Sequence, residues 1–321
     1  MYPPALESRN LTIGYTQRGQ VRTVANDVNI NLEKGKLTCL MGPNGIGKST
    51  LIKTITGVLS PINGSIFINS IDLFELDNLK KAQTISVVLT DKPASGFMTV
   101  RDIISLGRYP YTSWQNKHND QDQAIIDGAI ESVGLIDAAN TPLIELSDGN
   151  LQKAIIGRAL AQDTDIIVLD EPTIHLDVNN KTVIIKILRQ LCHDYNKTIL
   201  LSTHDLELAM SYADRLWLFA EDQIYDGLPE DLFLAGVIKK VFSEVSPKEN
   251  GSTLTNLSFK GDQEAILLLK QAIDKSKINA DFTSVDEIEI QTVGNQLMIR
   301  VGALEYNSIE DFILKFAPSQ L

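Results

Sequence analysis

Short apolar runs alternate with amphipathic stretches along most of the chain. This alternation predicts an α/β fold, in which helices cover the faces of a sheet. The apolar runs that predict strands lie at residues 10–15, 24–32, 37–41, 66–68, 85–89, 166–169, 198–202 and 216–219. Helical stretches precede the last three runs, and a strand–helix–strand order implies that the strands pair in parallel.

A helical period interrupts the strand pattern over residues 99–146. Its apolar residues recur at the spacing of one helix face, as in Ile126, Ile130 and Val133. Together with the helical stretch that ends near Gln162, this pattern predicts a helical subdomain at about residues 99–162.

The pattern changes again after residue 246. A polar stretch at residues 246–255 predicts a linker, and Gly294-Asn295 predicts a hairpin turn. The predicted elements beyond the linker are a strand near Leu257, a helix at 263–276, strands at 287–293 and 296–301, and a helix at 308–316. The chain is therefore predicted to divide into a domain at 1–246 and a small α+β lobe at 247–321, whose residues carry no recognisable chemistry.

Composition narrows the classes of function. The 321 residues include 29 Lys+Arg and 41 Asp+Glu, a formal charge of −12, and the isoelectric point is about 4.8. Proteins that bind nucleic acid usually need a basic surface, so we expect no nucleic-acid partner. The two cysteines, Cys39 and Cys192, are too few for a disulfide framework and favour a reducing cytoplasm.

Nothing in the sequence predicts a membrane span. The first ten residues lack the basic and apolar regions of a signal peptide, and no apolar run approaches the roughly 20 residues that cross a bilayer. We therefore expect a cytoplasmic protein that reaches a membrane only through a partner.

The strongest chemical signal is a glycine-rich run between a predicted strand and a predicted helix. It reads Gly42-Pro43-Asn44-Gly45-Ile46-Gly47-Lys48-Ser49-Thr50 and matches the pattern G-x-x-x-x-G-K-[ST]. Glycines let backbone N–H groups curl around phosphates, and the following helix directs its positive end at them. Lys48 is expected to reach the β- and γ-phosphates, and the Ser49 hydroxyl to bind Mg²⁺. A plain glycine turn is the alternative, but the strand–helix setting argues against it.

A second signal is the apolar strand at residues 166–169, which ends in the paired carboxylates Asp170 and Glu171. We expect Asp170 to hold Mg²⁺ through water and Glu171 to polarise an attacking water, because phosphoryl transfer depends mainly on positioning and charge. Acidic residues at a strand end are also ordinary solvated caps, but their place downstream of a phosphate loop favours the metal site.

Further motifs follow in the order seen in ABC-type ATPases, which the chain resembles over about residues 9–228. Leu146-Ser147-Asp148-Gly149-Asn150 is similar to the signature of that family, and Thr173-Ile174-His175-Leu176-Asp177 is similar to its D-loop. Ser202-Thr203-His204-Asp205 matches the switch-histidine segment, so His204 is expected to contact the γ-phosphate, with a packed histidine as the alternative. Tyr15 lies where the family stacks an aromatic ring on adenine, although it also fits an ordinary strand aromatic.

The resemblance implies a P-loop NTPase fold with a RecA-like parallel core, an antiparallel β subdomain and a helical subdomain. It also implies a head-to-tail homodimer that holds ATP and Mg²⁺ between the phosphate loop of one copy and the signature of the other. Ser147 and the N–H of Gly149 would complete the γ-phosphate site, with Asp148, Asn150 and Asp177 beside it. Glu171, His204 and Lys48 would be catalytic, so we expect hydrolysis to be retained.

Three residues depart from the family pattern. Thr90 stands where the family has the Q-loop glutamine, and its shorter hydroxyl is expected to reach Mg²⁺ only through a water. Asp148 replaces a glycine and would repel a γ-phosphate unless its side chain points away. Asn150 replaces a glutamine, which is a milder change.

Within the family, Leu106-Gly107-Arg108-Tyr109-Pro110 resembles the importer ATPases for ferric siderophores, haem and cobalamin. This implies a peripheral subunit on the cytoplasmic face of the inner or plasma membrane. It would dock on a membrane permease through residues 90–111, and an extracytoplasmic substrate-binding protein would act indirectly. A soluble ATP-gated regulator or clamp is the alternative. A third hypothesis is that the C-terminal lobe senses a small ligand and inhibits the ATPase.

Overall fold

The structure is a computed structural model, and it describes residues 3–17, 19–89, 97–112, 118–221, 223–242, 258–276, 287–294 and 296–316. The predicted linker at 246–255 and Leu257 lie outside the described residues. None of the described helices is both long enough and apolar enough to cross a membrane.

Strands and helices alternate within these ranges. The strands are β1 (Leu6–Gln17), β2 (Gln20–Val28), β3 (Asn31–Leu32), β4 (Leu37–Met41), β5 (Asn63–Ile68), β6 (Ile71–Asp72), β7 (Ile85–Val88), β8 (Ile166–Leu169), β9 (Thr198–Ser202), β10 (Arg215–Ala220), β11 (Gln223–Gly227), β12 (Ser258–Gly261), β13 (Glu287–Val293), β14 (Gln296–Val301) and β15 (Leu304–Tyr306). The helices are α1 (Lys48–Ile55), α2 (Asn78–Thr84), α3 (Val100–Ser105), α4 (Asp120–Ser132), α5 (Asp148–Ala161), α6 (Val178–Tyr195), α7 (Leu206–Tyr212), α8 (Pro229–Leu234), α9 (Val237–Val241), α10 (Gln263–Ser276) and α11 (Ile309–Phe316).

The central sheet has the strand order β11-β10-β4-β9-β8-β7. Every pair in it is parallel except β10 with β11. Alternate residues of its strands enter two different cores, for example Cys39 and Ile167 on one face and Leu40 and Val168 on the other. Burial on both faces explains why these strands are continuous apolar runs, and the predicted parallel pairing is confirmed.

A second sheet is antiparallel, with the order β2-β1-β5-β6 and β3 paired to β1. The prediction of one strand over residues 24–32 is wrong, because the chain leaves β1 after Val28 and pairs with its other end through Asn31 and Leu32. Asn29 stabilises the break, since its side-chain oxygen accepts from the N–H of Asn10 at 2.8 Å.

The helical region contains α3, α4 and α5. Thr99 with Asp102 and Asn119 with Asp122 form capping boxes, in which each pair exchanges side-chain and backbone hydrogen bonds at a helix start. The buried ion pair of Arg108 with Asp122, 2.8 Å between Nε and Oδ1, ties the end of α3 to α4.

The C-terminal lobe is a four-stranded sheet in the order β12-β13-β14-β15, packed against α10 and α11. The predicted helix at 263–276 and strands at 287–293 and 296–301 match the structure at both ends. Apolar side chains of α10 belong to the same core cluster as one face of the central sheet. The lobe therefore rests on the preceding domain rather than standing apart from it.

Candidate functional site

The phosphate loop, residues 42–50, lies between β4 and α1. Its three glycines have positive φ, 152° at Gly42, 78° at Gly45 and 122° at Gly47, a region that favours glycine. A Cβ on Gly47 would lie 2.3 Å from the Val24 side chain. The loop therefore requires glycine for backbone shape and for close packing. Pro43, Asn44 and Gly45 are exposed, and Ile46 is half-buried.

Helix α1 begins at Lys48, and no side chain caps its first turn. Its first N–H groups and the positive end of its dipole are therefore available to anions. The Lys48 ammonium donates to the carbonyl oxygens of Gly42 at 2.8 Å and Pro43 at 3.1 Å. Burial lowers the pKa of Lys48, and the negative charges of Glu171 and Asp170 oppose that effect. The two carboxylates therefore face the same site as the lysine.

Strand order explains this convergence. Strands β4, β9 and β8 are neighbours and parallel, so the loop after β4, His204 after β9 and the two acids after β8 meet at one edge of the sheet. The Ser202 hydroxyl donates to Asp170 Oδ1 at 2.6 Å and accepts from the N–H of Glu171 at 2.8 Å. His204 Nε2 is hydrogen-bonded to Glu171 Oε1. Lys48, the two acids and His204 thus form one site.

Tyr15 lies on β1 beside this edge. Its hydroxyl is hydrogen-bonded to Thr50 Oγ1 at 2.9 Å, and the residue remains 36% exposed. The bond ties the antiparallel sheet to α1 and leaves the ring partly open to a ligand. Contact between this ring and adenine stays a prediction.

The signature begins helix α5. Ser147 is its N-cap, since Ser147 Oγ accepts from the N–H of Asn150 at 3.3 Å. Asp148 occupies the first turn, where a carboxylate is favoured by the helix dipole. Gly149 packs so closely on α6 that a Cβ there would lie 2.5 Å from Asn180 Oδ1. Ser147 and Asp148 are exposed, Asn150 is half-buried, and their contact with a partner's nucleotide stays a prediction.

Asp177 caps helix α6. Its carboxylate accepts from the backbone N–H and the side-chain amide of Asn180, both at 2.8 Å. The same asparagine contacts Gly149, so the D-loop and the signature are linked within one chain. This structural role leaves the predicted nucleotide contact of Asp177 untested.

The donor set suits Mg²⁺ in its chemistry. Ser49 is exposed in the first turn of α1, and Asp170 is half-buried at the end of β8, so both can offer oxygen to a hard cation. Mg²⁺ usually takes one or two protein oxygens and fills its shell with phosphates and waters. Across the described ranges no group of three or more His, Cys, Asp or Glu side chains could hold a metal by itself. Thr90, the third predicted ligand, lies outside the described residues.

Comparison with known proteins identifies the family. A family model described as ABC transporter matches residues 25–174. The chain is 35% identical over 240 residues to the achromobactin transport ATP-binding protein CbrD of Dickeya dadantii (strain 3937), a match that covers 74% of this chain and 88% of that protein. The chain belongs to the ABC transporter ATP-binding family. This ABC ATPase is an ATP-hydrolysing cassette, as the sequence predicted.

A second relative and a solved structure support the same family and fold. This ABC ATPase is 32% identical over 239 residues to the iron(3+)-hydroxamate import ATP-binding protein FhuC of Bacillus subtilis (strain 168), covering 74% of this chain and 87% of that protein. A dimeric post-hydrolysis structure of the cassette MJ0796 bound to ADP and Pi is 24% identical, with a TM-score of 0.60 and coverage of 70% and 98% of the two chains. The predicted P-loop fold is therefore confirmed.

Sequence reasoning assigned no role to two residues that the structure places at the site of this ABC ATPase. Ser202 belongs to the switch-histidine motif, but the motif assigns it no role. A polar residue at the end of the apolar run in β9 is the sequence feature that could have indicated one. Asn180 lies in a polar helix start, and only the fold reveals that it packs on Gly149.

Proposed function

We propose that this chain is the ATPase subunit of an importer for an iron chelate, such as a ferric siderophore, haem or a similar metal complex. The observation that carries the ATPase activity is the convergence of Lys48, Asp170, Glu171 and His204 at one edge of the sheet. The names of the relatives, which refer to achromobactin and to iron(3+)-hydroxamate, support the class of cargo.

Each residue of the site has a separate role in ATP hydrolysis. The N–H groups of residues 42–50 and the Lys48 ammonium would bind the phosphates. Ser49 and Asp170, with Thr90 as the third candidate, would hold Mg²⁺, which would neutralise charge on the phosphate oxygens when bound. Glu171 polarises the attacking water and accepts its proton, and His204 orients the Glu171 carboxylate through their hydrogen bond.

Two copies close head to tail around the nucleotides. Ser147 and Gly149 begin a helix whose N-terminus suits the γ-phosphate of the partner copy. Exposed apolar side chains of the D-loop region, Ile174 at 42% and Val178 at 78%, are placed to be covered by that copy. The MJ0796 cassette, which has the same fold, is dimeric in its structure bound to ADP and Pi.

A permease docks on the surface that flanks residues 90–96. The described residues on either side expose apolar groups, with Leu89 at 50%, Phe97 at 101% and Tyr109 at 62% exposure. The buried ion pair of Arg108 with Asp122 anchors the segment that carries Tyr109 to α4. The subunit would thereby sit at the cytoplasmic face of the membrane, and an extracytoplasmic binding protein would deliver cargo to the permease.

Purification of the tagged chain from detergent-solubilised membranes tests the docking proposal. We expect a polytopic membrane protein to copurify with the wild type and to be lost with Tyr109→Asp. Tyr195→Asp is the matched control, because Tyr195 is 55% exposed at the end of α6. Recovery of only soluble partners would overturn the importer assignment and favour an ATP-gated regulator.

A further inference from the structure

Ser202 is the last residue of β9 and is fully buried. This strand lies between β4, which leads into the phosphate loop, and β8, which leads to Asp170. Its side chain therefore stands between the two halves of the site, although the sequence motifs assign it no task.

One hydroxyl makes two directed hydrogen bonds. Ser202 donates its hydrogen to Asp170 Oδ1 at 2.6 Å and accepts from the N–H of Glu171 at 2.8 Å. The first bond fixes the plane of the carboxylate that is to hold the metal. The second holds the backbone of Glu171, whose φ of 49° is uncommon for a residue other than glycine.

Two buried hydroxyls on other strands of the same sheet, β4 and β7, differ from Ser202. Among the residues that the structure describes, Thr38 Oγ1 and Ser86 Oγ have no hydrogen-bond partner. Burial in this sheet therefore does not by itself provide partners, and the two bonds of Ser202 are a specific arrangement at the ends of β8 and β9.

We propose that Ser202 is a positioning residue, which orients Asp170 toward Mg²⁺ and Glu171 toward the attacking water. The proposal rests on the proposed function of the two acids. Hydrogen bonds behind metal ligands commonly change metal affinity or activity by about 10–100-fold. The hydroxyl contacts the carboxylate of Asp170 and the backbone N–H of Glu171. Its loss should therefore lower both the affinity for Mg²⁺ and the rate of the chemical step.

Steady-state ATPase assays over a range of Mg²⁺ and ATP concentrations test this role. Calorimetric titration of Mg²⁺ into protein that holds a non-hydrolysable ATP analogue measures metal affinity without turnover, and Ser202→Ala should weaken that affinity by about 10–100-fold. We expect Ser202→Ala to lower kcat by about 10–100-fold and to raise the Mg²⁺ concentration needed for half-maximal rate, with little change in the KM for ATP. Ser202→Thr keeps the hydroxyl and should recover most of the rate. Ser86→Ala removes an equally buried hydroxyl from β7 and should behave as wild type.

Ser202→Val provides a second comparison if Ser202→Ala does not fold. Threonine and valine have the same shape, so a difference between these variants reports the hydroxyl alone, and equal rates would overturn the proposal. Wild-type kcat and Mg²⁺ dependence in folded Ser202→Ala would also overturn it, as would an equal loss in Ser86→Ala. Failure of the proposed function is distinguishable, because the wild type would then show no Mg²⁺-dependent hydrolysis.

Discussion

Lys275 Nζ lies 2.5 Å from Glu230 Oε1, and this ion pair joins α10 of the C-terminal lobe to α8 of the preceding domain. The lysine side chain is 10% exposed and the glutamate side chain is fully buried. Lys275 also donates to the carbonyl oxygens of Met210 at 3.0 Å and Ala213 at 3.2 Å, at the end of α7. Because α7 begins just after His204, the lobe holds the far end of the helix that follows the switch histidine.

Removal of one charge from this pair should be costly. We expect Lys275→Met to reduce the free energy of unfolding by about 3–5 kcal/mol, because it leaves the Glu230 charge buried without compensation. The double variant Lys275→Met with Glu230→Leu should regain most of that stability, since no buried charge remains. Urea unfolding of the full chain, followed by circular dichroism, measures both. A single variant as stable as the wild type would show that the lobe is not held by this pair.

The pair of Arg108 with Asp122 predicts a pH dependence. Burial raises the pKa of Asp122, but the hydrogen bonds from Arg108 and from the Asn119 N–H outweigh it, so the net pKa lies below its usual value. A lowered carboxyl pKa contributes stability above the unfolded pKa of about 3.9, and this contribution is lost as the pH falls through the folded pKa. The stability difference between wild type and Asp122→Asn should therefore be constant from pH 8 to about 5 and shrink below about 4.

Urea unfolding at several pH values measures this difference. Asp127→Asn is the control, because its pair with Arg101 is largely exposed, with side-chain exposures of 58% and 38%. Exposed pairs contribute only about 0–1 kcal/mol, so that variant should change stability little at any pH. A difference for Asp122→Asn that grows on acidification would contradict the assigned direction.

The two parts of the Tyr15 side chain can be tested separately. Tyr15→Phe removes the hydrogen bond to Thr50 and keeps the ring, so Mg²⁺·ATP affinity should stay near that of the wild type. Tyr15→Ala removes the stacking surface and should weaken binding by about 1–3 kcal/mol, the usual contribution of base–aromatic stacking. Calorimetric titration distinguishes the two variants. Equally small losses of affinity in both variants would show that Tyr15 is an ordinary strand aromatic.

Sequence periodicity predicted best the strands that are buried on both faces. Strands β4, β8 and β9 are enclosed on both faces and match their predicted ends, because such strands are uninterrupted apolar runs. The short elements β6, β11, β15, α8 and α9 were not predicted, since two to six residues give too little periodicity to detect. The strand break after Val28 was also missed, because a change of pairing partner leaves no mark on the apolar pattern.

The residues of the candidate site that belong to sequence motifs could be predicted. The residues that join the site only through tertiary contacts could not. Lys48, Asp170, Glu171 and His204 could be named because their spacing along the chain is diagnostic. The bridging bonds of Ser202 could not, because they depend on which strands are neighbours. The ion pair of Lys275 with Glu230 joins the C-terminal lobe to the preceding domain. No local sequence pattern indicates that these two residues pair.

Single-turnover hydrolysis of Mg²⁺·ATP by Glu171→Gln tests the central claim most directly. Glutamine keeps the size of the side chain but cannot accept the proton of the attacking water. We predict hydrolysis slower by at least about 100-fold, with Mg²⁺·ATP affinity within a few-fold of the wild type. A rate equal to that of the wild type would contradict the account.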